Sequence, residues 1–90
     1  MNKPQLDELL KQLHAELQQV DTVDGASRET LHALQNDIQN LLDRAEGEQA
    51  KGYRPLLDGL NRAVTQFEVS HPKLALAITQ AINALVDVGV

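Results

Sequence analysis

Phe67-Glu68-Val69-Ser70-His71-Pro72-Lys73-Leu74 is the stretch on which the architecture turns. Upstream of it, apolar residues recur at alternating spacings of four and three: Tyr53, Leu57, Leu60, Val64 and Phe67. Downstream the same spacing resumes with Leu74, Ile78, Ala81, Leu85 and Val88. Such spacing returns a side chain to one helix face about every 3.5 residues, so both flanks read as amphipathic helix. The heptad phase runs on through His71, which admits a single kinked helix. Pro72 argues for two. Inside a continuous helix its ring would clash with the carbonyl of Glu68 and leave it unpaired, at about 3 kcal/mol. As the second residue of a new helix it costs little. Ser70 is then the expected N-cap, with Val69 and Leu74 forming a hydrophobic staple across the turn.

Outward from this break, the first half of the chain repeats the pattern twice. One stripe is Leu6, Leu10, Leu13, Leu17 and Val20; the other is Ser27, Leu31, Leu34, Ile38, Leu41 and Ala45. Helix one is expected over residues 4–20, with Pro4 in the first turn, Asn2 as cap, and Asp7 and Glu8 near the positive end of the helix dipole. Helix two is expected over 25–46, capped by Asp24 and stopped at Gly47. Residues 47–54 hold two glycines and read as a mobile loop. Helix three is expected to open at Pro55, whose missing N–H costs nothing in a first turn, and to run to 68. Helix four is expected over 71–88.

These segments, of about 17, 21, 14 and 18 residues, match one another and suit an antiparallel four-helix bundle. A continuous third helix would run about 36 residues, roughly 54 Å, and half of it would have no partner within the chain. Leu9, Leu42, Leu56 and Ile82 flank the stripes and widen them, as globular bundles require. The expected fold is therefore all-α, one domain over residues 1–90, with dimerisation as a means of completing the bundle.

The 90 residues allow a modest core. Apolar residues make up 42% of the sequence and aromatics only 2%, so Leu, Ile, Val and Ala must build that core. Little surface is left for stacking on bases, sugars or flat cofactors, and no cofactor is expected. There is no cysteine, which removes disulfides, thiolate metal sites and cysteine nucleophiles. With no signal-peptide pattern after Met1, the expected location is the cytoplasm. The net charge of −5 is uneven: residues 1–50 hold four Lys/Arg against ten Asp/Glu, and residues 51–90 hold four against three. An acidic first half without a basic cluster argues against nucleic acid as a ligand. The most apolar stretch, Leu74 to Val90, is interrupted by Thr79, Gln80, Asn83 and Asp87, so no integral membrane segment is expected.

Two Glu-x-x-His sequences, Glu29-Thr30-Leu31-His32 and Glu68-Val69-Ser70-His71, resemble the ligand pairs of di-iron carboxylate bundles. Register argues against a metal site. With Leu31 and Leu34 inside, Glu29 and His32 point outward; the second pair straddles the break, and helix four has no Glu. His14 reads as a surface residue. His71 lies on the stripe, so Ser70, His71 and Pro72 together read as the structural helix break. No phosphate loop or nucleophile elbow is present, and the chain is not expected to be an enzyme.

Helix four is the candidate working surface. Its polar residues occupy one strip, and Leu76 and Val86 stand at the edges of that strip. Leu76, Ile82, Val86 and Val90 are the candidate interface residues. A helix apolar over so much of its circumference is central to its own bundle or buried against a second molecule.

The run Phe67-Glu68-Val69-Ser70-His71-Pro72, leading to an apolar helix that ends Val88-Gly89-Val90, resembles the family of small bacterial proteins catalogued as domain of unknown function 4404. The leucine-rich first helix and the acidic second helix also fit it. The resemblance implies a bacterial, helical protein of unassigned activity, with no catalytic residues to carry over. The leading expectation is thus a non-enzymatic module that forms a homodimer or binds an as yet unknown protein partner through helix four. Two alternatives are a peripheral membrane protein anchored by that helix, and a carboxylate/histidine metal-binding bundle.

Overall fold

The computed structural model describes residues 3–21, 24–44 and 50–88. They form α1 (Lys3–Gln19), α2 (Gly25–Asp43), α3 (Ala50–Phe67) and α4 (Pro72–Asp87). Each helix packs on its neighbour in the chain, and α4 closes the ring against α1. The result is a four-helix bundle measuring 38 × 21 × 19 Å. Neighbouring helices run antiparallel. Thr30 near the start of α2 bonds Gln66 near the end of α3, while Gly52 near the start of α3 lies against Leu41 near the end of α2.

The predicted stripes face inward. Leu6, Leu10, Leu13 and Leu17 of α1 and Leu31, Leu34, Ile38 and Leu41 of α2 are buried. On α3 the buried face is wider than the stripe, because Leu56 and Ala63 join Tyr53, Leu57, Leu60 and Phe67, and Val64 is half-buried. Leu74, Ala75, Ile78, Ala81, Ala84 and Leu85 of α4 complete the core. Leu9, Leu42 and Ile82 pack half-buried around it, as flanking residues of a globular bundle should.

Asp24 caps α2. Its Oδ1 accepts from the backbone N–H of Ala26 at 3.3 Å, satisfying one of the donors left open at a helix start. The helix ends at Asp43, short of the expected Glu46, and Gly47 lies outside the described residues. Arg44 turns out of helical geometry, and its N–H donates to the Leu41 carbonyl at 3.2 Å, which tightens the last turn.

The start of α3 corrects the expected loop. Residues 50–54 are helical, and Pro55 is interior rather than first; residues 47–49 lie outside the described residues. Two side-chain facts account for this. The Tyr53 ring is buried in the core, so an extra turn of helix gains apolar burial of about 1.5–3 kcal/mol. Gly52, which reads as a loop residue, permits close approach to α2: a Cβ there would stand 2.9 Å from Leu41 Cδ1.

The chain breaks between Phe67 and Pro72, with residues 68–70 forming a turn. The cap differs from expectation by one residue. His71, not Ser70, is the N-cap of α4, and its side chain makes no capping bond. Pro72 decides this, since its fixed φ and missing N–H suit the first helical position and hold the preceding residue out of the helix. Val69 is 89% exposed, so it forms no staple. The backbone instead closes the turn through His71 N–H to Phe67 carbonyl at 2.8 Å, and the His71 carbonyl accepts from Ala75 at 3.0 Å. The His71 ring stands 5.8 Å from that of Phe67, tilted by 59°. It covers the end of the core.

Candidate interaction surface on α4

The register of α4 is fixed by Leu74, Ile78, Ala81 and Leu85, which point into the bundle. Its opposite side presents Lys73, Leu76, Thr79, Gln80, Asn83, Val86 and Asp87 to solvent. Leu76 is 61% exposed and Val86 55%. Between Leu74 and Val86 the helix carries no charged residue at all. The outer faces of the other helices differ: Glu8, Lys11 and Glu16 stud α1, Arg28, Glu29 and Asp37 stud α2, and Arg54, Asp58 and Arg62 stud α3. Charged outer faces keep a bundle apart from its neighbours, and α4 carries charge only at its two ends.

Of the four candidate interface residues, the structure brings Leu76 and Val86 to the outer face. Ile82 is turned toward the bundle, because it lies one turn from Ile78, and is half-buried against the core. Val90 lies outside the described residues. Beside α4 a groove of about 290 Å³ runs along α1, lined by Leu9, Gln12, Leu13, Glu16, Ala77 and Gln80.

The other singled-out residues do not converge on a chemical site. Glu29, His32 and Glu68 are exposed, His14 is half-buried, and His71 packs on Phe67. Among the described residues, no group of three or more His, Asp or Glu side chains stands close enough to hold a metal ion. Also among these, no helix is long and apolar enough to cross a membrane.

Two polar features escape the sequence pattern. Ser27 is buried on the α2 stripe, where its hydroxyl donates to Asp24 Oδ2 at 3.0 Å and accepts from Gln66 Nε2 at 3.4 Å. Thr30 donates to Gln66 Oε1 at 2.7 Å, so the four side chains clasp the start of α2 to the end of α3. The small polar residue on an apolar stripe was the available signal. At the other end, the Tyr53 hydroxyl is buried with no hydrogen-bond partner among the described residues. Burial pushes its pKa up, and the nearby Asp7 carboxylate adds to that shift.

No curated protein and no solved structure matches the chain. A family pattern does, and it extends over residues 6–90, nearly the whole sequence. By this match the chain belongs to the family described as domain of unknown function (DUF4404).

Proposed function

We propose that the chain is a non-enzymatic contact module that works through the outer face of α4, by self-association or by binding another protein. The observation that carries this reading is the exposure of Leu76 and Val86 on a helix face without charge from Leu74 to Val86. Exposed apolar residues rimmed by uncharged polar ones are the usual composition of a docking surface. The scattered placement of the titratable side chains supports a role in contact rather than catalysis.

The test is affinity capture with tagged wild type and with a Leu76→Glu, Val86→Glu double variant, using both cell extract and the untagged chain as prey. Circular dichroism of the variant should keep the helical signal, since both positions are exposed. The expected result is that prey retained by the wild type is lost by the variant. Equal retention by the two would sink the reading. A lipid surface would also accept Leu76 and Val86, but Lys73 is the sole cation on this face, whereas surface-bound amphipathic helices are rich in Lys and Arg. Flotation with anionic vesicles separates the two, with the protein expected to remain unbound.

A further inference from the structure

Pro72, Leu76, Thr79, Asn83 and Val86 are all exposed, and they recur at the same alternating spacing of four and three that builds the core. At 100° per residue this second stripe lies roughly 150° around α4 from the first. A stripe of that period is the seam by which one helix pairs lengthwise with another. Its chemistry is symmetric about the level of Ala81: Leu76 and Val86 stand five residues to either side, and Thr79 and Asn83 two residues. A two-fold axis at that level would set Leu76 against the Val86 of a second copy, and Thr79 against its Asn83. Apolar then meets apolar, and polar meets polar.

The charges at the two ends choose the direction. Lys73 is the second residue of α4 and Asp87 the last, so each sits at the unfavourable end of its own helix dipole. Both are exposed, neither is paired among the described residues, and both lie on the same flank of the second stripe. In an antiparallel pair that flank meets itself. Each Lys73 then approaches the carboxylate of Asp87 and the negative helix end of the other copy, within about 3 Å along the axis. A parallel pair would place the like charges at the same level on opposite sides of the seam, and neither Lys73 nor Asp87 would meet an opposite charge.

We infer that the partner of the outer α4 face is a second copy of this chain, packed antiparallel on α4 about a two-fold at Ala81. This inference rests on the contact reading above and narrows it. Two apolar residues per copy form a small interface, well below the ~800 Å² per partner of standard complexes, so the dimer is a weak and reversible one. A symmetric patch of this kind closes on itself and does not propagate into fibres.

The absence of native cysteine makes the arrangement directly testable. Leu76→Cys and Val86→Cys chains, distinguished by tag length, are oxidised separately and as a mixture. The mixture should yield the 76–86 disulfide. Each chain alone should yield little, because equal positions lie about 15 Å apart along an antiparallel pair, beyond disulfide reach. Cross-linking of Leu76→Cys with itself would overturn the antiparallel arrangement while leaving self-association standing. Lys73→Glu should lower the dimer population several-fold in sedimentation, and adding Asp87→Lys to the same chain should restore it. A Lys73→Glu chain that dimerises like the wild type would overturn the charge pairing. Wild type that remains monomeric at about 1 mM would overturn the second copy as partner. The contact reading would then stand or fall on the capture experiment alone.

Discussion

Ser27 and Tyr53 each bury a hydroxyl, at opposite ends of the bundle and at 7% and 4% exposure, yet their circumstances differ. Ser27 sits in the first turn of α2, where its cap residue Asp24 and the Gln66 side chain across the interface both reach it. Tyr53 carries its hydroxyl on a rigid ring to a buried position near the Asp7 carboxylate, where no described group bonds it. A helix start supplies partners locally, so a buried polar group there strengthens the seam. A polar atom delivered to the core by a long side chain receives only what the opposite helix happens to offer. In one case burial is stabilised by bonding; in the other the ring stabilises and its hydroxyl costs.

The apolar middle between these ends sets the scale. Ile78→Ala, fully buried in α4, should lose about 2–5 kcal/mol in urea unfolding, more than any change to either hydroxyl. An Ile78 loss below that of Ser27→Ala would show that the polar clasp, not the core, holds α2 on α3. Ser27→Ala should itself cost about 1 kcal/mol, since Asp24 and Gln66 lose a shared partner.

Tyr53→Phe should move the opposite way and stabilise, by up to about 1 kcal/mol at neutral pH, because it removes only the unbonded hydroxyl. Its pH dependence sharpens the contrast. The folded phenol holds its proton above the ordinary tyrosine range, so its contribution is complete below about pH 10 and is lost as pH rises through the raised value. The wild type should therefore lose stability faster than Tyr53→Phe above about pH 10, read from urea midpoints. Parallel alkaline decline of the two proteins would mean that the hydroxyl has found a partner in solution.

The smallest effects concern the two glycines of α3 that face α2. Gly59→Ala should stabilise by about 0.5–1 kcal/mol, since the new Cβ meets Leu34 Cδ2 at an ordinary 3.6 Å and the helix gains propensity. Gly52→Ala gains the same propensity but must displace Leu41 Cδ1 from 2.9 Å within a packed interface, so no net gain is expected. Equal stabilisation at the two positions would show that the Tyr53 end of the seam is loosely packed.

The inward faces of all four helices were legible because a spacing of four and three leaves a side chain little choice of direction. Leu76 and Val86 could be placed outside for the same reason. What the pattern could not supply was tertiary. Gly52 and Pro55 are loop signals on their own, and only the proximity of Leu41 and the burial of Tyr53 turn that stretch into helix. Ser70 is the better capping residue by type, but Pro72 fixed the first helical position and moved the cap to His71.

The order in which the helices pack also governs how the chain finds its fold. Three of the four seams join helices adjacent in sequence, and only five residues of sequence separate α1 from α2 and four separate α3 from α4. Closing such short loops costs little entropy, so hairpins of helices form early and independently. Only α1 against α4 joins the two ends of the chain, and its closure carries most of the topological cost. That seam is accordingly the last to assemble and the first to open. In amide hydrogen exchange, α1 should lose protection by a partial opening that leaves the α2–α3–α4 core intact.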